Sequence, residues 1–129
     1  DFSADPELMA VTDGVMLDIK AWSKEDHLAV TGRDNALVLK NLRWLAENGK
    51  LTEVRTVIVP GLYDCEQTVE NVSRLLAQTH STATRYKIIR FRPMGVREAY
   101  KSLTAPTGEQ LSRLRDIAES FGLQDVVTV

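Results

Sequence analysis

The chain has 129 residues, 43% of them hydrophobic and 26% charged, and a formal net charge of −2; this is the size and balance of one globular domain, without general attraction to nucleic acid or an anionic membrane. No apolar run approaches the roughly 18 residues a membrane-crossing helix needs, and the first residues lack the basic and apolar regions of a signal peptide. The single cysteine, Cys65, excludes an internal disulfide framework, and together these features point to the cytosol.

Asp5-Pro6 opens a short helix to about Ala10, with Asp5 as cap and Pro6 at the first helical position. Gly14 to Lys20 reads as a strand, with Val15, Leu17 and Ile19 pointing one way and Met16, Asp18 and Lys20 the other. A polar pair at the C-terminal end of a strand is costly unless a ligand or partner satisfies it, and in α/β folds ligands bind at that end. Ser23, followed by Glu25 and Asp26, caps a short helix through His27. Asp34 or Asn35 caps a longer helix with Leu37, Leu39, Leu42, Leu45 and Ala46 at helical spacing, and Gly49 stops it. Glu53 to Val59 is the second strand, closed by Pro60-Gly61. A helix follows from about Glu66 to Gln78, then a strand from Tyr86 to Phe91. The Thr107–Gln110 segment starts the last long helix, which ends at Gly122, and Asp125 to Val129 is a closing strand.

The fold class is therefore α/β. Strands alternating with helices of this length imply parallel pairing through right-handed crossovers. Four such strands form either a small open sheet or a piece of a (β/α) barrel. Asp18 and Lys20, Arg55, and Arg90 and Arg92 can share one side, opposite Leu17 and Ile19, Val54 and Ile58, and Ile89 and Phe91. Polar residues gathered on an inner side favour the barrel, with the apolar side under the helices.

The strings from Asp13 to Trp22, Thr31-Gly32-Arg33-Asp34-Asn35, Leu45 to Lys50 and Val54 to Gly61 resemble the C-terminal half of glycyl-radical-enzyme activating enzymes. These are radical S-adenosylmethionine proteins of the pyruvate formate-lyase activating type, and two of the strings are most similar to the YjjW-type subgroup. The resemblance covers nearly the whole chain, is strong from Thr12 to Gly61, and beyond Tyr100 rests on element order. It implies the C-terminal part of a partial, TIM-like (β/α) barrel in a single domain fragment, residues 1–129. It implies a [4Fe–4S] cluster, S-adenosylmethionine, a 5′-deoxyadenosyl radical, and a glycyl-radical enzyme as the protein partner.

Residue by residue, the resemblance implies that Asp18 and the backbone carbonyl of Met16 belong to a monovalent-cation site beside the S-adenosylmethionine carboxylate. Lys20 matches a lysine near that carboxylate, and Arg55 an arginine lining the cofactor pocket. Arg92 stands where relatives commonly carry a histidine near the adenine. A carboxylate prefers cationic, charge-assisted donors, and a hard cation prefers oxygen. The chain lacks the Cys-x-x-x-Cys-x-x-Cys loop, and Cys65 cannot hold a cubane cluster alone; the Gly-Gly-Glu and Asp-x-Asn-Gly motifs are absent too. The cluster ligands are thus expected outside this chain, no catalytic residue is assigned within it, and the fragment is expected to be inactive alone.

Other readings stand beside this one. Asp18 and Lys20 can form a simple structural ion pair, and the chain can be a small autonomous module binding an anion through Lys20, Arg55 and Arg92. The free strand edges of a half barrel would permit an edge-paired or swapped homodimer. Arg85, Lys87, Arg90, Arg92, Arg97 and Lys101 form a basic cluster, read either as a solvated edge or as a patch receiving the partner. Cys65 reads as a small packing residue, and His27 as a packing or capping one.

Overall fold

The structure is a computed structural model describing residues 1–129. Four parallel strands, β1 (Val15–Asp18), β2 (Leu51–Ile58), β3 (Arg85–Arg90) and β4 (Val126–Thr128), lie in the order β1-β2-β3-β4. Each new strand adds on the same side of the last. With right-handed crossovers this places every connecting helix on one face and leaves the other as the inside of a curved wall. A doubly wound sheet would reverse direction at a switch point. The chain is therefore α/β, built of parallel β/α repeats forming part of a TIM-like barrel. β1 and β4 each have one free edge.

The helices begin where local chemistry starts them. In α1 (Pro6–Val11), Asp5 accepts from the Leu8 amide and Pro6 opens the first turn. In α2 (Lys24–Thr31), the Ser23 hydroxyl accepts from the Asp26 amide. This helix runs four residues past His27. Gly32, in the left-handed region at φ 74°, ends it, with its amide bonded to the Leu28 carbonyl. Buried His27 fixes that end, its Nδ1 lying 2.8 Å from the Arg33 carbonyl. Helix α3 (Ala36–Glu47) starts without a side-chain bond from Asn35, whose amide instead donates to the Trp22 carbonyl at 2.5 Å. Asp34 accepts from the Ala36 amide instead. Asp64 caps α4 (Cys65–Gln78), and Thr107 with Gln110 forms a capping box on α5 (Gly108–Ser120).

One core of 19 buried residues joins the outer sheet face to these helices. Val54, Ile58, Tyr86 and Ile88 from the sheet meet Leu42 and Leu45 of α3, Val69, Val72 and Leu76 of α4, and Leu111 and Leu114 of α5. Tyr86 is fully buried, with its hydroxyl 3.0 Å from Thr56 Oγ1. Every buried side-chain polar atom has a partner.

Register corrects one sequence expectation. Residues paired across a parallel sheet point to the same face. Asp18 pairs with Arg55 and Arg55 with Lys87, so the inner face takes odd positions from β3; Ile58 pairs with Arg90. Arg90 therefore lies on the helix-covered side, where its guanidinium donates to the Pro106 carbonyl at 2.7 Å, and Ile89 lies on the inner side. A one-residue difference in register reverses every side chain of a strand, and composition does not reveal it.

Candidate functional site

The inner face carries charge at the C-terminal half of β1 and β2. Lys20 lies just beyond β1, where the Ile19 amide still bonds the Arg55 carbonyl at 2.8 Å. The Lys20 ammonium meets Asp18 at 2.7 Å, with the side chains 42% and 49% exposed. Asp18 is the register partner of Arg55, yet its charge is met by Lys20. Arg55 turns elsewhere: Nε donates to Glu53 in an ion pair, and Nη2 donates to the Met16 sulfur at 2.9 Å. Arg55 Nη1 has no protein partner.

Glu53 is a functional candidate that the sequence reading passed over. It is the one buried carboxylate, and its second cation is Lys87, at 3.7 Å on the next strand. The hydrogen bond from Arg55 holds its carboxyl below the usual glutamate range, outweighing the opposite pull of burial, and Lys87 and Arg85 add to the effect. A signal was there: Glu53 stands two residues before Arg55, and i and i+2 share a face in any strand.

Asp18 and Glu53 against Lys20, Arg55 and Lys87 leave one positive charge in excess on this face. The arrangement can bind an anion through Lys20 and the open edge of Arg55 while presenting Asp18 to a cationic group. Arg92 follows β3 in an exposed loop and makes none of the network's hydrogen bonds. The structure thus brings Met16, Asp18, Lys20 and Arg55 together and leaves Arg92 outside.

The basic cluster is not one patch. Arg85 pairs with Asp125 at 3.0 Å, Lys87 faces Glu53, Arg90 goes to the helix side, and Lys101 meets Glu98 at 2.5 Å. Cys65 is half-buried at the start of α4, and burial pushes its thiol up, away from the thiolate. No group of three or more His, Cys, Asp or Glu side chains is placed to hold a metal ion. No helix is long and apolar enough to cross a membrane.

A singly wound parallel sheet with ligand-type charges at its strand ends defines a segment of a barrel enzyme scaffold. No family model matches the chain. It is 31% identical over 121 residues to the pyruvate formate-lyase-activating enzyme of Streptococcus mutans, covering 86% of this chain and 45% of that protein. It is 27% identical over 124 residues to the pyruvate formate-lyase 1-activating enzyme of Escherichia coli K12, covering 90% and 50%. With the indoleacetate decarboxylase activating enzyme of Tractidigestivibacter scatoligenes it shares 25% over 129 residues, covering 93% and 40%. A crystal structure of a domain of pyruvate-formate lyase-activating enzyme from Bacteroides vulgatus superposes with a TM-score of 0.82 at 18% identity, over all of this chain and 74% of that one. Over most of its own length the chain is similar to part of these glycyl-radical-enzyme activating enzymes, and it spans about half the length of the curated relatives it matches.

Proposed function

We propose that these 129 residues are the C-terminal half of a cytosolic radical S-adenosylmethionine activase, an oxidoreductase acting on a glycyl-radical enzyme. The observation that carries the reading is the convergence of Asp18, Lys20 and Arg55 on the inner face, at the strand ends where barrel enzymes bind ligands. The names of the relatives support the substrate class.

The donor set fits S-adenosylmethionine. Lys20 and Arg55 Nη1 take its carboxylate, Asp18 with the Met16 backbone carbonyl takes a monovalent cation beside that carboxylate, and Arg92, in the exposed loop after β3 and outside that network, is left for the nucleoside end. Glu53 acts through Arg55: by accepting from Nε it fixes the plane of the guanidinium. When bound, S-adenosylmethionine supplies the hydrogen-abstracting chemistry of the family. The residues present do not fit a [4Fe–4S] cluster, since one half-buried thiol cannot supply the several thiolates that hold it; the cluster ligands of this reading lie outside these residues, which alone are inactive.

Titration of the 129-residue chain with S-adenosylmethionine, followed by backbone amide NMR, tests the site. Shifts are expected at Met16–Lys20 and around Arg55, and they should vanish in the Lys20→Ala/Arg55→Ala variant. Asp18→Asn should remove any difference between potassium and sodium buffers. An unchanged spectrum at about 1 mM ligand, where even weak binding registers, would remove the assignment.

A further inference from the structure

Lys87 is the inner-face cation without a task in the proposed ligand site. It stands on β3 in register with Arg55 on β2, which is itself in register with Asp18 on β1. One row across three strands is thus acid, guanidinium, ammonium. The Lys87 side chain is only 27% exposed, and its ammonium makes no hydrogen bond within the chain. Its nearest acid is Glu53, at 3.7 Å, too far for a hydrogen bond. The oxygen it approaches, Glu53 Oε1, already accepts from Arg55 Nε. Two cations therefore share one carboxylate oxygen, and only Arg55 is bonded to it.

Folding supplies no reason for this ammonium. Like charges at paired positions of neighbouring strands oppose pairing, and a largely covered charge without a hydrogen bond is a cost. The charge balance of the face supplies one. Lys20 neutralises Asp18 at 2.7 Å, and Arg55 neutralises Glu53. Arg85, the register partner of Glu53, is taken by Asp125 at 3.0 Å. The positive charge in excess is therefore that of Lys87. Without it, an anion approaching Arg55 meets a guanidinium already balanced by Glu53. With it, part of the Glu53 charge is drawn toward the ammonium. Arg55 then keeps its hydrogen-bonded plane together with a net attraction for an anion.

We propose that Lys87 is a positioning residue for the Arg55 anion site: acting through Glu53, it leaves the guanidinium fixed in place yet unneutralised, ready for a carboxylate. Lys87 itself touches no ligand. The proposal rests on the reading that Arg55 receives the ligand carboxylate, and its test separates the two.

The test uses the 129-residue chain and S-adenosylmethionine, followed by amide NMR. Lys87→Met should weaken binding about threefold to tenfold, the effect of one partly screened charge a few ångströms from the ligand. Lys87→Arg should retain the affinity. Glu53→Gln/Lys87→Met, which restores the positive excess, should recover most of the loss. Unchanged affinity in Lys87→Met overturns the proposal, and so does a double variant that recovers nothing. A second arm needs no ligand. In Lys87→Met the Glu53 carboxyl, followed by carbon NMR, should titrate closer to the usual glutamate range, because a nearby cation has gone. The Arg55 Nε proton should exchange more slowly with water, because Glu53 is left to Arg55 alone. If the natural chain does not bind S-adenosylmethionine at about 1 mM, the cofactor assignment falls and this second arm decides. Both changes sustain the role of Lys87 in dividing the Glu53 charge; absence of either overturns it. Amide dispersion reports folding of each variant, and Lys87→Gln makes the same charge change should the methionine variant unfold.

Discussion

The two faces of the sheet are made from alternate residues of the same strands, yet they meet different surroundings. On the outer face Val54, Tyr86 and Ile88 have no exposed surface. On the inner face Met16 is 59% exposed, the Asp18–Lys20 ion contact is roughly half exposed, and Arg55 is one-third exposed against the buried Glu53. Apolar contact with the helices supplies the stability of the first face. The second is held by charge pairs; outside the buried Glu53 they stay partly hydrated, add little stability and remain able to exchange partners. A ligand site is expected on the face that folding does not need.

That contrast can be broken by substitution. Ile88→Ala should have the largest effect, destabilising the chain by about 2–5 kcal/mol in urea unfolding, whereas Met16→Ala should fall within about 0.5 kcal/mol. Equal losses at the two positions would erase the distinction.

Asn35→Ala comes next. Its amide holds the Trp22 carbonyl and, at 3.5 Å, that of Ala21, so the loop beyond Lys20 depends on it. A loss of about 1–3 kcal/mol is expected, together with faster amide exchange across residues 20–23.

Glu53 sharpens the comparison because it is the inner-face charge that is buried. Its folded carboxyl titrates below the unfolded glutamate value of about 4.3, so its ionised form stabilises the fold above that pH and the contribution is lost as pH falls through the lower folded value. The gap in urea midpoint between the natural chain and Glu53→Gln should be constant from about pH 7 to 5 and shrink below about pH 4. A gap that widened on acidification would contradict the ion-pair network.

The smallest stability effect belongs to Lys20→Ala, about 1 kcal/mol or less because both partners are roughly half exposed. If Lys20 holds the ligand carboxylate, affinity should nevertheless fall by about 1.5–3 kcal/mol, measured by the NMR titration. A stability loss with unaltered affinity would make the Asp18–Lys20 contact purely structural.

Much of this was legible along the chain. Caps at Asp5, Ser23 and Thr107, stops at Gly49 and Gly122, and the alternation from Val15 to Lys20 all depend on groups a few residues apart. So do the strand–helix order and the shared face of Met16, Asp18 and Lys20, because helix and strand periods act within one element. Asn35 shows the boundary: it stands where a cap belongs, but its amide is drawn to Trp22 across a turn. Arg90 went to the helix side, and Glu53 joined Arg55 to Lys87, only once strands and helices distant in sequence were set side by side. Those outcomes depend on register and on which elements become neighbours. A local pattern carries neither, because the contacts that decide them are made across the sheet.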